Sequence, residues 1–175
     1  MVSDYKEILS DSAKGMKRSA IRELLKLTQK PEIISFAGGL PAKESFPLEQ
    51  LQEICAEVIA TDGAAACQYG STEGVPELLE ILAQRYRDQG LSYVTKENIT
   101  IITSSQQGLD TVGKIFLNRG DKYICELPSY LGALGAFNSY GGVGVGIPQD
   151  EQGMSAVELE KTLAEMKAKG EKPKF

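Results

Sequence analysis

The segment Ile102–Asp110, ITSSQQGLD, has the residues of an anion-binding turn. It lies where a β-branched segment, Ile99–Thr103, meets a helix predicted from about Gln106 to Leu117. The first backbone N–H groups of a helix have no partners inside it, and the helix dipole adds partial positive charge there. With the hydroxyls of Ser104 and Ser105 beside them, these groups could hold a phosphate dianion. The alternative is that either serine only caps the helix.

Two tyrosines follow predicted elements at positions where ligands often bind. Tyr130, in ELPSY, follows the predicted strand Lys122–Glu126, and ligands gather at the carboxyl ends of parallel strands. Its ring could lie flat against an aromatic ligand, or it could be an ordinary half-buried tyrosine. Tyr69, in QYGSTEG, lies in a loop rich in turn-forming residues. Such loops bind ligands or simply pack on their neighbours.

The N-terminal region offers a candidate substrate-binding face. Ser19 and Arg22 are three residues apart on a predicted helix, Ser19–Gln29, so they share one face. Arg22 could present a bidentate fork to a carboxylate, or the face could simply be solvated. Gly39, in SFAGGLP, follows another glycine, and this pair permits close backbone approach to a ligand or a plain turn.

Composition excludes several classes of function. The net charge is −5 and the basic residues are scattered, which argues against nucleic acid as a partner. No apolar stretch approaches the about 18 residues of a membrane span, and the N-terminus lacks a signal-peptide pattern. Because the chain has no histidine, histidine-based triads and metal sites are excluded. Its three cysteines are interpreted as free thiols of a reduced, cytoplasmic protein.

The order of predicted elements indicates an α/β fold. Helices are predicted to begin at Pro47, with Gly63 as a stop, and at Pro76, ending near Gly90. Strands and helices then alternate, which is typical of a parallel sheet with crossover helices. The predicted strands are 99–103, 122–126 and 143–147, and the helices between and after them are 106–117, 130–140 and 156–169. Ser155 and Glu158 have the spacing of a capping box.

Four segments, ISFAGGLP, QYGSTEG, SSQQGLD and ELPSY, together resemble the first part of a fold-type I pyridoxal-phosphate (PLP) aminotransferase. The likeness is greatest to the 2-aminoadipate aminotransferase and MocR-like group. It implies that Ser105 and Gln106 hold the cofactor phosphate and that Tyr130 stacks on the pyridine ring. It also implies a homodimer in which Tyr69 reaches the phosphate of the partner's cofactor. Substrate binding would fall to residues of the N-terminal region: Ser19, Arg22 and Gly39.

The resemblance also implies an incomplete three-layer α/β/α large domain. Residues 1–47 would form an N-terminal arm that covers the substrate, and residues 48–175 would form the first part of the PLP-binding domain. The lysine that binds the cofactor covalently would lie beyond Phe175, so no catalytic residue is expected in this chain, and the chain alone should be inactive. The three predicted strands would belong to a seven-stranded sheet in which later strands separate the first from the other two.

The function that the resemblance implies is transfer of an amino group between an amino acid and a 2-oxo acid. The amino acid could be acidic, such as 2-aminoadipate or glutamate. One alternative is the effector-binding domain of a MocR-type regulator, which would require a DNA-binding domain ahead of Met1. Another is a non-catalytic α/β module that binds no cofactor.

The role expected of Arg22 can be tested in the complete enzyme. If Arg22 binds a distal carboxylate, Arg22→Ala should reduce kcat/KM for acidic substrates by ~1–3 kcal/mol of transition-state binding, with less effect on apolar ones. The measurement is kcat/KM with glutamate, 2-aminoadipate and leucine as donors. Equal losses on all three would restore the solvated-face interpretation.

Overall fold

The computed structural model describes residues 5–15, 33–34, 39 and 41–175. These residues form two compact units. One unit contains residues 102–175 together with the described residues 5–15, and the other contains the described residues between 18 and 101. The predicted boundary at residue 47 stays a prediction.

Helices alternate with strands through the second half of the chain. In chain order, the described helices are α1 (Asp11–Gly15), α2 (Leu48–Ala66), α3 (Pro76–Asp88), α4 (Ser104–Phe116), α5 (Leu131–Ser139) and α6 (Ala156–Ala168). The described strands are β1 (Lys122–Leu127), β2 (Val143–Asp150) and β3 (Gly153–Met154). Short 3-10 helices lie at Tyr5–Ile8, Lys43–Ser45 and Lys96–Asn98. Among the described helices α2 is the longest, and none is both long and apolar enough to cross a membrane.

Helix α2 starts where the sequence predicts but ends later. Pro47 precedes it, as expected, whereas the predicted stop at Gly63 is wrong. The backbone leaves helical geometry at Asp62, with φ −141° and ψ 27°, and then resumes to Ala66. Three alanines, the strongest helix formers, follow Gly63, and Cys67 N–H donates to Gly63 O at 3.1 Å. No residue of α2 is buried.

Helix α3 follows the predicted pattern. Pro76 is its first residue, and the helix ends at Asp88, two residues before Gly90, which has φ +95°. Leu79, near the start of the helix, is buried. Arg87, in the last turn, donates to the Val94 carbonyl at 3.0 Å, and this bond connects the following loop to the helix. Arg87 also forms an ion pair with Glu80 of the same helix.

The predicted strand 99–103 is not a strand in the structure. Ile101 N–H donates to Glu73 O at 2.7 Å, within the same unit, instead of entering a sheet ladder. A β-branched sequence favours extended backbone, but a strand also needs a neighbour to receive its hydrogen bonds. Neither β1 nor β2 pairs with this segment.

Strands β1 and β2 confirm the predicted parallel pair joined by a crossover helix, α5. Their register pairs Tyr123 with Gly144 and Cys125 with Gly146. The sheet as a whole is mixed, because β3, which the sequence does not predict, pairs antiparallel with β2. The core on the α5 side of β1 contains Leu117, Tyr123, Ala136 and Phe137.

The last residues of the chain lie along the other edge of β1. Lys174 N–H donates to Lys122 O at 2.7 Å, and Ile124 N–H donates to Phe175 O at 2.8 Å. The Phe175 ring lies 6.0 Å from Tyr123 and 5.2 Å from Phe137, centroid to centroid. The predicted elements end at residue 169, so the sequence does not predict this pairing.

Helix α6 has half of the predicted capping box. The Ser155 hydroxyl accepts from Glu158 N–H at 3.4 Å. The reciprocal bond is replaced, because Ser155 N–H donates to Pro148 O at 3.0 Å and the Glu158 carboxylate lies 3.8 Å from Lys161 Nζ. The start of the helix is therefore tied to β2 as well as to its own first turn.

The three cysteines are free, as the sequence predicts. Cys55 and Cys67 are exposed, whereas Cys125 is half-buried on β1. Burial raises the pKa of the Cys125 thiol above its ordinary value, so this thiol is protonated and weakly reactive at neutral pH.

Phe175 should contribute to stability through its ring. Phe175→Ala should lower the free energy of unfolding by about 1–3 kcal/mol, since each aromatic pair adds roughly 0.5–1.5 kcal/mol and the ring is only partly buried. Urea unfolding followed by far-UV circular dichroism measures this change. Val157→Ala, at a highly exposed position of α6, is the control and should change stability by less than about 0.5 kcal/mol. Equal effects of the two substitutions would contradict a stabilising role for the aromatic cluster.

Candidate functional site

Helix α4 begins at Ser104, two residues before the predicted start. Ser105 and Gln106 are therefore its second and third residues, and their backbone N–H groups are among those that have no acceptor within the helix. Both side chains are exposed. A 13-residue helix thus directs its positive end and its free donors towards the exposed side of Ser105 and Gln106.

The turn that opens α4 is conformationally unusual. Ser104 has φ +62°, a left-handed conformation that residues other than glycine rarely adopt. Such a conformation costs about 1–3 kcal/mol and persists only where the surroundings hold it. Gln107 helps to hold this turn, because its Oε1 accepts a hydrogen bond from Thr103 N–H. Sequence reasoning missed Gln107, because its contact with Thr103 four residues earlier does not have the three-residue spacing of a capping box.

Tyr130 lies three residues beyond the end of β1 and is the N-cap residue of α5. Its carbonyl accepts from the N–H groups of Ala133 and Leu134 at 3.1 and 3.2 Å, which fixes its backbone at the start of the helix. Gln149 Nε2, on β2, donates to Pro128 O at 3.0 Å and braces the preceding turn. The side chain itself is 65% exposed, so the ring is available to a ligand.

Gln106 and Tyr130 meet at Gly132, in the first turn of α5. Gln106 Nε2 donates to Gly132 O at 3.4 Å. A Cβ added to Gly132 would lie 2.6 Å from Tyr130 Cζ and 2.8 Å from Gln106 Oε1, and closer still to Tyr130 Cε1. The phenol ring and the carboxamide are therefore neighbours, as the prediction that both contact one ligand requires.

Helices α4 and α5 approach each other closely. A Cβ at Gly113 would lie 2.9 Å from Tyr140 Cδ2 and 3.3 Å from Phe137 Cδ1. Tyr140 also donates its hydroxyl to Asp110 Oδ2 at 3.1 Å. Partial burial, together with this hydrogen bond, raises the pKa of Tyr140, so the hydroxyl is protonated at neutral pH and remains a donor. Deprotonation at alkaline pH would remove the bond.

Tyr69 belongs to the other unit, in the loop between α2 and α3. Gln68 Oε1 accepts its N–H at 2.8 Å, while the side chain is 99% exposed. Gly74, with φ +124°, closes the loop, and its carbonyl accepts from Ser71 Oγ at 2.5 Å. The loop thus holds the Tyr69 backbone and leaves its ring in solvent.

The remaining predicted site residues are less informative. Gly39 is exposed, and a Cβ there would meet nothing within 4 Å. Ser19 and Arg22 lie outside the described residues. The substrate-binding roles of all three stay predictions.

Comparison with known proteins identifies the family. Residues 31–175 match the family described as aminotransferase class I and II. The chain belongs to this family. The predicted family and its α/β fold are therefore confirmed, and the helices with the small mixed sheet are consistent with a partial α/β domain.

Relatives extend the match to nearly the whole chain. The aromatic-amino-acid aminotransferase 1 of Thermococcus litoralis is 44% identical over 172 residues, covering 98% of this chain and 41% of that protein. The 2-aminoadipate transaminase of Thermus thermophilus is 42% identical over 171 residues, covering 98% and 40%. The structure is also similar to that of LysN, the α-aminoadipate aminotransferase of Thermus thermophilus, complexed with N-(5′-phosphopyridoxyl)-L-leucine. That match has a TM-score of 0.81 and 38% identity, and it covers 98% of this chain and 40% of that one. The chain thus spans about two fifths of the length of these relatives.

The Gln107 contact should stabilise the opening turn of α4. Gln107→Ala should lower the free energy of unfolding by about 0.5–1.5 kcal/mol, because Thr103 N–H loses its side-chain acceptor. Gln107→Glu keeps an oxygen acceptor near the positive end of the helix and should retain the stability of the unaltered chain. Urea unfolding measures both, with Gln52→Ala, at an exposed position of α2, as the control. If Gln107→Glu were as destabilising as Gln107→Ala, the hydrogen bond would not be the source of the effect.

Proposed function

We propose that this chain forms the phosphate-anchoring and ring-stacking part of the PLP site of an aminotransferase. Membership of the aminotransferase class I and II family supports the reaction class. A relative of similar structure, LysN, was solved with a phosphopyridoxyl ligand, which supports the cofactor. The single observation that carries the proposal is the meeting of Gln106 and Tyr130 at Gly132, beside the first turn of α4.

The residues present fit both ends of the cofactor. A phosphate dianion suits the exposed first turn of α4, where backbone N–H groups, the helix dipole and the Ser105 hydroxyl act together. A pyridine ring suits the exposed phenol of Tyr130, since offset or edge packing of aromatic rings is favourable. The close neighbourhood of Gln106 and Tyr130 suits one small ligand that carries both groups.

The chemistry divides between cofactor and protein. When bound, PLP supplies the electron sink for amino-group transfer. The residues of this chain would hold the phosphate at Ser105 and Gln106 and fix the plane of the ring at Tyr130. Because transfer requires the reacting bond to stand in a defined orientation to that plane, these contacts would contribute orientation. We assign no acid, base or nucleophile among them.

The N-terminal region would determine which substrates bind. The substrates would be an amino acid and a 2-oxo acid, with Ser19, Arg22 and Gly39 contributing to their binding. Relatives of similar identity are named for aromatic amino acids and for 2-aminoadipate. An acidic substrate therefore rests on Arg22, whose guanidinium could bind a distal carboxylate.

We also propose that the complete cytoplasmic enzyme is a homodimer in which Tyr69 reaches the phosphate site of its partner. A side chain that is 99% exposed on a loop with a hydrogen-bonded backbone supports such a reach. The effector-binding domain of a MocR-type regulator would make the same contacts with PLP. The proposal that this chain binds PLP therefore applies to an aminotransferase and to such a regulator alike.

Phosphate anchoring can be measured on this chain with pyridoxamine 5′-phosphate. This probe carries the phosphate and the ring but no aldehyde, so it cannot react with the surface lysines. Its fluorescence and competition by inorganic phosphate report binding. Ser105→Ala should weaken binding by about three- to tenfold, as expected for loss of one hydrogen bond, and Ser105→Asp should abolish it by charge repulsion.

The matched control is Thr111→Ala, at an exposed position further along α4. It should leave the affinity for pyridoxamine 5′-phosphate unchanged. Binding that phosphate does not displace, or that tolerates Ser105→Asp, would place the ligand elsewhere and contradict the proposed site.

A further inference from the structure

Gly132 stands where a glycine disfavours local structure. It lies in the first turn of α5, where glycine is roughly 0.5–1 kcal/mol less favourable than alanine. Its φ is not in the left-handed region, unlike that of Gly141 at +79°, so the backbone does not require a glycine there. The reason for this residue must therefore lie in what surrounds it.

The surroundings of Gly132 are the two side chains proposed to contact the cofactor. The Tyr130 ring lies across the space that a Cβ would fill, with Cζ 2.6 Å from that point. Gln106 Oε1 lies 2.8 Å from the same point, and Gln106 Nε2 donates to the Gly132 carbonyl. Because Gly132 has no side chain, it leaves room for the Tyr130 ring. Its carbonyl oxygen accepts a hydrogen bond from the Gln106 amide.

Gly135, one turn later in α5, provides a comparison within the same helix. A Cβ at Gly135 would meet nothing within 4 Å, so alanine fits there without moving any neighbour. Alanine at Gly132 would instead displace the Tyr130 ring, the Gln106 amide or both. The ring is 65% exposed, so it is free to move outwards, and the fold could survive while the geometry of the site changes.

We propose that Gly132 is a positioning residue that sets the distance and angle between the phosphate-binding turn and the stacking ring. It acts through Tyr130 and Gln106 and makes no contact with the reacting atoms. The absence of a side chain lets the ring lie against α5 while the Gln106 amide bridges from α4 to the Gly132 carbonyl. The site is thereby matched to a ligand in which an aromatic ring and a phosphate are separated by a short link. This inference rests on the proposed PLP-binding function.

The test compares Gly132→Ala with Gly135→Ala in the 175-residue chain. The first measurement needs no ligand: the side-chain amide resonance of Gln106 in 15N NMR spectra should shift in Gly132→Ala and stay in place in Gly135→Ala. The second is the Kd of pyridoxamine 5′-phosphate relative to that of inorganic phosphate. Gly132→Ala should weaken the binding of pyridoxamine 5′-phosphate by about tenfold, because an aromatic contact is lost. It should weaken the binding of inorganic phosphate by less than about threefold. Gly135→Ala should change neither.

A double-mutant cycle separates positioning from a general loss of stability. In a Tyr130→Ala background the ring has already gone, so Gly132→Ala should have little further effect on pyridoxamine 5′-phosphate. Two results would overturn the role of Gly132 and leave the binding proposal standing. One is that the losses of affinity for pyridoxamine 5′-phosphate are additive in the cycle. The other is that the ratio of the Kd for pyridoxamine 5′-phosphate to the Kd for phosphate is the same in Gly132→Ala as in Gly135→Ala. If the unaltered chain binds neither ligand, the proposed function fails, and the inference fails with it.

Discussion

The close approach of α4 to α5 at Gly113 determines the geometry of the candidate site. Ile99–Thr103, the segment ahead of α4, forms no strand, so no sheet ladder fixes the start of this helix. Its position depends instead on packing against α5, where Gly113 leaves room for the rings of Phe137 and Tyr140. The hydrogen bond from Tyr140 to Asp110 adds a second connection one turn closer to the site. Because Ser105 and Gln106 lie at the start of α4 and Tyr130 at the start of α5, this packing sets their separation.

Helix α5 is in turn supported by β1. Tyr123 is almost fully buried, packs edge-on against Phe137 with centroids 5.0 Å apart, and donates its hydroxyl to Asn138 at 2.9 Å. β1 is paired on both edges, with β2 on one side and residues 173–175 on the other. A strand paired on both edges is held more firmly than an edge strand, whose N–H and C=O groups remain open on one side. The ring of Phe175, at the end of the segment 173–175, packs against the rings of Tyr123 and Phe137.

The sequence predicts well what depends on neighbouring residues. Pro76 places the start of α3, and the predicted strand 122–126 begins at the first residue of β1. It predicts poorly what depends on distant residues. The β-branched segment 99–103 has strand propensity but no pairing strand among the described residues, and Phe175 pairs with β1 about fifty residues earlier in the chain. In the candidate site, Ser105, Gln106 and Tyr130 could be predicted because their motifs resemble a known family. Gly132 could not, because its proposed role depends on the packing of α4 against α5.

Several exceptions to local rules lie at this site. Ser104 adopts a left-handed conformation, Gly132 occupies the first turn of a helix, and Gly108 lies in the early part of α4. Each of these features disfavours local structure, the glycines by up to about 1 kcal/mol each and the serine by about 1–3 kcal/mol. Folded domains tolerate such features where function requires a particular geometry and other contacts hold it. Here Gln107 and the α4–α5 contact hold it. Ser104 lies in the turn that carries the proposed phosphate donors, and Gly132 leaves room for the Tyr130 ring. The left-handed serine at the start of α4 and the glycine in the first turn of α5 both lie beside residues proposed to bind one ligand, and that proposed binding accounts for both.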